Sequence, residues 1–568
     1  MLTEIQGGFR LLVNEVLQAA SEARELLKHR DPSKSRDLYH RSAYINTQVA
    51  LLQKQTMELF LQHTAGYKEA ILLQGLSSIA SRLERISDVL LNLDRQAGYL
   101  SDPSFLEIYK LDDFFHEIIA GLGRINPALE RRDVALAIRL GQIEERLDRS
   151  YADRFRRILN LLSFQTERTG DLVTTLMIIH YLERVGDLLL EIGEKIIYII
   201  MGEKIKLEQY KALGAGLKAT GSHLELGRMG FKSIWGGRSG CRIGVVESPD
   251  HQKPGQDVLH GNTLETSQTT QETVLFKHGP AFKLTREREN LERWESLRPG
   301  LTPGVKAFIP ARAGSEAALI LEYIPSRNLQ ALFLENAPEE AFQGLSRALE
   351  VIASLWRETK EKNPSRAEFV RQTENRLNEA QFLYPQLIRF HGSIGQMEIR
   401  PINQLLGMVR DLENSLPSGY SMLIHGDFNL SNILYDIIAD KIYMVDLYRS
   451  RENDYVQDVS VMLVSILRLP VFTPYMRSRL SQAACLAFDF AKKFAISELG
   501  DQTYEARLAF GLARSFLTST RFILEEKMAA KFVARSRYLW EKLFLFQESG
   551  RPFEEFKLSP EILKIQIP

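Results

Sequence analysis

Apolar residues recur every three or four positions through the first two hundred residues of the chain. This spacing puts them on one face of a helix, and it continues almost unbroken from Thr3 to about Met201. The breaks are Asx-Pro pairs, which suit an N-cap followed by proline in the first helical turn: Asp31-Pro32, Asp102-Pro103 and Asn126-Pro127. The pattern predicts six helices, near residues 3–29, 32–64, 67–100, 103–124, 127–163 and 166–202.

Two of these helices carry the same phrase. Residues 83–88 read LERISD, and residues 182–187 read LERVGD. In each phrase a Glu and an Asp are spaced i, i+4, so both carboxylates project from one face of the helix. The repetition indicates a duplicated three-helix unit.

The pattern changes after Gly202. Gly, Ser, Thr and Gln become frequent over 213–271, and short β-type runs appear, which read CRIGVVES, ETVLFKHG, PAFKL and AALILEY. Long helical segments return over about 335–415 and again after the segment 420–455. We therefore expect a multidomain protein in which an all-α region precedes an α+β region. The predicted parts are a helical domain at 1–205, a linker at 206–224, a small β-rich lobe with a hinge at 225–325 and a large helical lobe at 326–568.

The most informative polar cluster lies at residues 425–446, which read HGDFNLSNILYDIIADKIYMVD. Asp427 precedes Asn432 by five positions, and Asp446 closes a β-branched and aromatic run. Phosphoryl transfer from a nucleotide needs one carboxylate to orient the attacking hydroxyl, and an amide and a second carboxylate to hold magnesium. The segment supplies such a set, so it indicates a kinase.

Two segments of the predicted small lobe are candidates for contacts with nucleotide phosphates. The turn GGRSG at 236–240, which contains Gly237 and Ser239, would let backbone N–H groups approach an anion. Lys283, in a short predicted strand formed by PAFKL, is the preferred lysine for bridging phosphates, with Lys277 as the alternative. The preferred acidic partner on the next helix is Glu289, chosen over Glu287 and Glu292.

A third segment is a candidate for contact with the nucleotide base. The run LILEYIPSRNL at 319–329 passes from β-type residues into a polar turn. A strand leads into an interlobe hinge in this way. We expect the backbone groups of Glu322, Tyr323 and Ile324 to lie near an adenine.

The repeated LERxxD phrase and the ending EKIIYIIMGEKIK resemble the PhoU family of phosphate-transport regulators over about residues 1–205. The resemblance implies two three-helix bundles that bind iron or zinc. Some family acids are missing, because Asn46, Thr47, Arg82 and Tyr181 stand in their places, and loss of carboxylates weakens a hard-metal cluster. The alternative is a solvated helix face on which the acids pair with neighbouring cations. The implied metal ligands are Glu84, Asp88, Glu183, Asp187 and Asp148.

The pattern H-G-D-x-x-x-x-N, then a strand ending in Asp and a second Asp opening a helix, resembles the aminoglycoside phosphotransferase and choline kinase superfamily. The resemblance implies a two-lobed, protein-kinase-like fold with ATP as donor. It implies Asp427 as the catalytic base, and Asn432 and Asp446 as magnesium ligands. His425 and Asp458 would brace the catalytic loop. The residues after Asp446 are Leu-Tyr-Arg, without the Phe common in the family.

The composition of the chain restricts its classes of function and its cellular location. Lys plus Arg equals Asp plus Glu, at 72 each, so no global basic field favours nucleic acid. The two cysteines, Cys241 and Cys485, argue against a disulfide framework and fit a reducing cytoplasm. The apolar run at 188–201 is too short and too charged to span a bilayer. We expect a cytoplasmic protein, and peripheral contact with the inner face of the membrane stays open.

These observations predict an ATP- and magnesium-dependent phosphotransferase that acts on a hydroxyl or amine of a small-molecule acceptor. Its helical domain would serve phosphate regulation. The main alternative is a non-catalytic adaptor that responds to nucleotide and phosphate and regulates a phosphate transporter or a sensor kinase. A third reading makes metal storage in the helical domain the main role. Homodimer formation stays open.

Overall fold

The chain forms two compact units. The described residues of Met1–Gly279 and Ala311–Ile320 make up the first unit, and those of Pro280–Pro310 and Leu321–Pro568 make up the second. This division differs from the predicted end of the helical domain at residue 205. The computed structural model describes residues 2–29, 32–61, 66–102, 104–164, 167–221, 230–233, 241–247, 273–310, 315–335, 338–394, 397–471, 473–523 and 525–564.

Long amphipathic helices build most of the first unit. The longest, α7, packs along both α3 and α6, and its buried residues follow the helical period, as at Leu182, Val185 and Leu189. The predicted all-α region is therefore confirmed. The helices are α1 (Leu2–His29), α2 (Pro32–Leu61), α3 (Tyr67–Ala97), α4 (Ser104–Ile108), α5 (Leu111–Glu130), α6 (Val134–Leu162), α7 (Thr169–Met201) and α8 (Leu207–Ala219).

Two boundaries in this region differ from the prediction. Pro127 does not start a helix but lies in the last turn of α5, where it removes only one helical hydrogen bond. The next helix begins after Asp133, whose side chain accepts a hydrogen bond from the Leu136 N–H at 3.1 Å. The predicted linker contains α8, and Leu207 fills the space over Gly141 that a side chain there would occupy.

A small antiparallel sheet completes the first unit. Its strands are β1 (Gly230–Ser233), β2 (Arg242–Glu247), β3 (Val274–Pro280) and, after β4 (Val305–Ile309) of the second unit, β5 (Glu316–Glu322). The order within this unit is β1-β2-β3-β5, and β5 ends with two residues of the second unit. The ring of Phe231 covers Gly244 of the neighbouring strand so closely that a Cβ there would lie 2.2 Å from it.

The second unit combines helices with three short sheets. The strands pair as β11-β10-β6, β12-β9 and β7-β8, and α15 and α17 are buried along nearly their whole length. This confirms the predicted α+β region. Its helices are α9 (Ala281–Leu297), α10 (Leu329–Leu334), α11 (Pro338–Glu358), α12 (Phe369–Leu383), α13 (Pro385–Ile388), α14 (Ile402–Ser415), α15 (Val456–Leu467), α16 (Pro474–Lys493), α17 (Tyr504–Ser519) and α18 (Glu526–Glu548). Its remaining strands are β6 (Arg327–Asn328), β7 (Gly392–Ile394), β8 (Met397–Ile399), β9 (Met422–Ile424), β10 (Ile433–Asp436), β11 (Lys441–Met444) and β12 (Arg451–Asn453).

Two expectations from composition can be compared with the described residues. Cys241 and Cys485, which are both described, form no disulfide. None of the helices within the ranges given above combines the length and the apolar character that a membrane crossing requires.

Candidate phosphoryl-transfer site

A tight turn carries the chain from β9 into the candidate catalytic loop. Gly426 has φ of +81°, a left-handed conformation that glycine adopts without steric penalty. A Cβ on this residue would lie 2.3 Å from the carbonyl oxygen of Arg449. Glycine is therefore required at this position both by the left-handed backbone angle and by the close approach of the Arg449 backbone.

A buried carboxylate holds this turn in place. The N–H groups of His425 and Gly426 donate to the two oxygens of Asp458, at 2.7 Å and 2.8 Å. Asp458 lies in the first turn of α15 and is fully buried. Burial raises the pKa of its carboxyl group to about 7, and the two N–H hydrogen bonds act in the opposite direction. The adjacent Gln457 donates to the Gly426 carbonyl at 3.1 Å.

His425 connects the catalytic loop to the segment that contains Asp446. Its Nδ1 lies 3.3 Å from the Asp427 N–H, and its Nε2 lies 3.1 Å from the Val445 carbonyl oxygen. Since the N–H can only donate and the carbonyl can only accept, this geometry assigns a neutral ring with its proton on Nε2. Burial lowers the pKa of His425, which agrees with the neutral form. Both nitrogen atoms of the ring are therefore used to join the two segments.

Hydrogen bonds to backbone groups hold together the segments that carry Asp427, Asn432 and Asp446. The Asn432 side-chain amide donates to the Asp427 carbonyl oxygen at 3.0 Å. The Val445 N–H donates to the Asn432 carbonyl oxygen at 3.0 Å, which holds the residue before Asp446 alongside Asn432. Asp446 itself has φ of +64° and ψ of +50°, so the chain turns sharply at this carboxylate.

The carboxylate of Asp427 is partly open to solvent, with 25% of its side chain exposed. One oxygen accepts from the Asn429 side-chain amide at 3.1 Å, and the other lies 3.7 Å from Nη1 of Arg449. Asp427 and Tyr448 raise the pKa of Arg449 against the effect of its burial. The Arg449 guanidinium therefore lies beside an accessible carboxylate of opposite charge.

The residues at this site fit a magnesium ion. Mg²⁺ prefers hard oxygen ligands, and Asn432 and Asp446 offer an amide oxygen and a carboxylate. The Asn432 side chain uses its NH₂ group for the Asp427 carbonyl, so its oxygen is the end that faces away from that bond. Asn432 could thus offer its amide oxygen, and Asp446 its carboxylate, to one magnesium ion from two neighbouring segments.

Helix α9 supports the segment after Asp446. The Asn290 side chain donates to the carbonyl oxygens of Leu447 and Ser450, at 2.7 Å and 3.1 Å. The Trp294 indole donates to the Ser450 hydroxyl at 2.8 Å, and that hydroxyl donates to the Ile424 carbonyl. The helix thus ties both sides of the site together. The sequence analysis missed Asn290, Arg449 and Asn429. The partners of Asn290 lie far away in the sequence. Arg449 and Asn429 approach Asp427 only because of the turn at Gly426.

The prediction that Lys283 lies in a strand is wrong. Helix α9 begins at Ala281 after the N-cap residue Pro280, and its buried stripe at Leu284, Leu291 and Trp294 starts where a strand was expected. Lys283 lies in the first turn of this helix, 5.6 Å from the centre of the Tyr448 ring. The alternative, Lys277, lies in β3 and is only 3% exposed.

Glu289, the preferred acidic partner on α9, differs in exposure from the alternative Glu287. Glu289 is exposed, whereas Glu287 is 2% exposed. An exposed carboxylate on a helix is solvated, so Glu287 fits a structural acid better. The roles proposed for Lys283 and Glu289 stay predictions.

The other predicted nucleotide contacts fall into two groups. Gly237 and Ser239 lie outside the described residues. Glu322 ends β5, where its N–H donates to the Gly304 carbonyl at 2.8 Å and its carboxylate accepts from the Gly304 N–H at 3.1 Å. The Ile324 carbonyl accepts from the Ser326 N–H at 2.8 Å. Glu322 is therefore the last residue of β5, and Ile324 lies in the short connection to β6. Their contact with an adenine stays a prediction.

The acids of the first unit were expected to bind iron or zinc. Burial, Asp187 and Asp148 raise the pKa of Glu183 to about 7. Burial also raises the pKa values of Asp187 and of Glu84 on α3. In the part of the chain that the structure describes, no group of three or more His, Cys, Asp or Glu side chains is arranged to hold a metal ion.

A substitution within the repeat explains part of this result. Arg82, which stands where the family has an aspartate, pairs with Glu191 of α7 at 2.7 Å. A cation therefore stands where a further acidic ligand would be expected. The described residues therefore do not assemble the expected cluster from Glu84, Asp88, Asp148, Glu183 and Asp187.

Two family models match separate segments of the chain. The model of the "Phosphotransferase enzyme family" matches residues 268–492, and the model of the "PhoU domain" matches residues 114–196. A "Phosphate-specific transport system accessory protein PhoU homolog" of Pseudomonas putida is 21% identical over 181 residues, which is 31% of this chain and 70% of that protein. The homologue of the same description from Streptococcus pneumoniae is 22% identical over 210 residues, 36% of this chain and 96% of that protein.

A solved structure is similar to the second part of the chain. A thermostable mutant of aminoglycoside phosphotransferase APH(4)-Ia, in a ternary complex with ADP and hygromycin B, aligns with a TM-score of 0.35 and 13% identity. The alignment covers 57% of this chain and 96% of that protein.

The second part is thus a domain of the kinase-type phosphotransferase class, as the family match and the catalytic-loop residues indicate. The chain joins a PhoU domain to this phosphotransferase-family domain. Both resemblances seen in the sequence are confirmed.

Proposed function

We propose that the protein is an ATP-dependent phosphotransferase that transfers the γ-phosphoryl group to a hydroxyl or amine of a small-molecule acceptor. The observation that carries the proposal is the arrangement of Asp427, Asn432 and Asp446 around one braced loop. The fold alone does not require an accessible carboxylate at Asp427. It also does not require the strained turn at Gly426 that precedes this carboxylate.

In the proposed reaction, Asp427 accepts a hydrogen bond from the acceptor hydroxyl and orients its oxygen towards the γ-phosphorus. A bond forms between that oxygen and phosphorus while the bond from phosphorus to the ADP oxygen breaks. The acceptor proton passes to Asp427 late in the transfer, because a hydroxyl is too weak an acid to be deprotonated first at neutral pH. Asn432 and Asp446 would hold magnesium, which neutralises charge on the nucleotide phosphates.

Cations near the loop are candidates for further contacts with the phosphates. Lys283 lies beside Tyr448, two residues beyond Asp446. Lys277, which lies on β3, is the alternative. Glu289, Glu322, Ile324, Gly237 and Ser239 keep their predicted roles as candidates.

The PhoU domain gives a regulatory setting for this activity. Two relatives are described as accessory proteins of a phosphate-specific transport system. By analogy, we propose that the helical unit binds a phosphate transporter or a sensor kinase in the cytoplasm. Formation of a homodimer is a further proposal.

A screen with γ-labelled ATP tests the enzyme proposal against the adaptor alternative. The intact protein and the Asp427→Ala variant are incubated with magnesium, ATP and a panel of alcohols, sugars, aminoglycosides and amines. We expect label to enter at least one acceptor with the wild type and not with the variant. Equal label transfer by the two proteins, or none by either with nucleotide binding retained, would favour the adaptor.

A further inference from the structure

Helix α8 and strand β2 lie between the segments that the two family models match. Both elements belong to the first compact unit. The helix is not a loose tether, because the residues of its apolar stripe are buried: Leu207, Tyr210, Leu213 and Leu217. A packed helix transmits a displacement that a flexible linker would absorb.

Three contacts fix α8 to α6 and α7, the helices of the PhoU domain. Leu207 fills the space over Gly141 of α6, and its N–H donates to the Glu194 carboxylate of α7 at 3.1 Å. Nζ of Lys211 lies 2.6 Å from Oε1 of Glu145 on α6. A displacement of α6 or α7 therefore moves α8.

The same helix holds strand β2 of the small sheet. The Arg242 guanidinium donates to Oε1 of Gln209 at 2.9 Å, and that oxygen also accepts from the Lys206 N–H at 3.1 Å. The guanidinium lies 5.9 Å from the centre of the Phe231 ring on β1. Arg242 is half-buried, so α8 and β1 together fix the position of its side chain. A hydrogen bond with a charged donor is stronger than one between neutral groups.

Strand β2 passes this restraint to β3. Arg242 is paired with His278, and the next residue, Ile243, is paired with Lys277. Because side chains alternate between the two faces of a strand, Arg242 and Lys277 leave opposite faces of the β2–β3 pair. Helix α8 thus holds the strand pair from the face opposite Lys277, the alternative candidate for the phosphate-bridging lysine.

We propose that Gln209 is a positioning residue through which the PhoU helices set the nucleotide affinity of the phosphotransferase. By holding Arg242, it fixes the β2–β3 pair that carries Lys277. A partner that displaces α6 or α7 changes the position of Lys277 through α8. This inference rests on the proposed phosphotransferase function, with Lys277 as the lysine that contacts the phosphates.

The first test measures ATP binding, with magnesium, by the full-length wild type, Gln209→Ala, Arg242→Met and the double variant. Each single variant should raise the Kd for ATP about fivefold, which is the low end of the range for coupled sites. The double variant should bind ATP as Arg242→Met does, because both changes remove the same hydrogen bond. Gln209→Glu keeps an acceptor for Arg242 and should restore the wild-type Kd.

Gln142→Ala is the matched control. It makes the same substitution at an exposed position of α6 and should leave the Kd for ATP unchanged. A Kd for Gln209→Ala within twofold of the wild type would overturn the inference. A loss in the double variant equal to the sum of the two single losses, as free energies, would overturn it as well.

Hydrogen exchange provides a readout that needs neither nucleotide nor activity. The amides of β2 and β3 should exchange about fivefold faster in Gln209→Ala than in the wild type, since local opening of the strands no longer breaks this hydrogen bond. The amides of Gln142→Ala should exchange as in the wild type. Equal exchange in Gln209→Ala and the wild type would refute the link between α8 and the sheet. Faster exchange together with a wild type that binds no ATP would support the link and refute the proposed function.

Discussion

Replacing Gly426 with alanine tests whether the catalytic loop depends on the tight turn at this residue. A left-handed conformation costs a residue with a Cβ about 1–2 kcal/mol. The added Cβ would also lie 2.3 Å from the Arg449 carbonyl oxygen and 2.7 Å from its carbonyl carbon. Since ordinary contacts begin near 3.4 Å, one of the two backbone segments must move by about 1 Å.

That displacement has two measurable results. We expect Gly426→Ala to lower the free energy of unfolding by about 2–3 kcal/mol, from backbone strain and from weaker hydrogen bonds to Asp458. A displacement of about 1 Å at the base lowers phosphoryl transfer about a hundredfold. Urea unfolding and initial rates at saturating ATP measure the two effects.

Gly407→Ala is the matched control. Gly407 lies on the exposed face of α14, with no atom within 4 Å of the added Cβ, so alanine should stabilise the helix by about 0.5–1 kcal/mol and leave the rate unchanged. If Gly426→Ala matches the control in stability and in rate, the turn is not the support that the structure indicates.

Two further variants test separate parts of the molecule. Asn290→Ala removes two hydrogen bonds to the carbonyl groups of Leu447 and Ser450. It should lower the free energy of unfolding by about 1–3 kcal/mol in urea titrations, and it should also reduce kcat. An unchanged kcat would show that α9 does not support the site. Glu183 has a folded pKa of about 7, above its ordinary value, and its side chain is 19% exposed, so the stability it contributes is lost as pH rises through 7. Glu183→Gln should raise the melting temperature at pH 8, by a free energy of about 2 kcal/mol, and have little effect at pH 5; a lower melting temperature at pH 8 would contradict this.

Local sequence patterns were enough to predict much of the fold. Long helices such as α1 and α7 lie within two or three residues of their predicted ends, because a sustained 3.6-residue period has few alternatives. The HGDxxxxN phrase and the strand before Asp446 also predicted two carboxylates and an amide on segments that the structure joins by hydrogen bonds. These residues are close in sequence, so their spacing carries the information.

Features that depend on distant partners were not predictable in the same way. The short run PAFKL fits a strand as well as the first turn of a helix, and only the buried stripe further along α9 decides for the helix. Asn290 lies 157 residues before Leu447, whose carbonyl group accepts a hydrogen bond from it. This contact follows from the packing of α9 against the segment after Asp446, for which the sequence has no local signal.

The most direct test of the central claim is the rate of γ-phosphoryl transfer at saturating magnesium and ATP by Asp427→Asn. Asparagine keeps the size of the side chain and its contact with Asn429 but cannot accept the proton. Asp411→Asn, on the exposed face of α14, is the control for the same chemical change. We expect the rate of Asp427→Asn to fall by a factor of about 100–10,000 with unchanged nucleotide affinity, and the control to match the wild type. A rate for Asp427→Asn within twofold of the wild type would contradict the assignment of this loop as the catalytic centre.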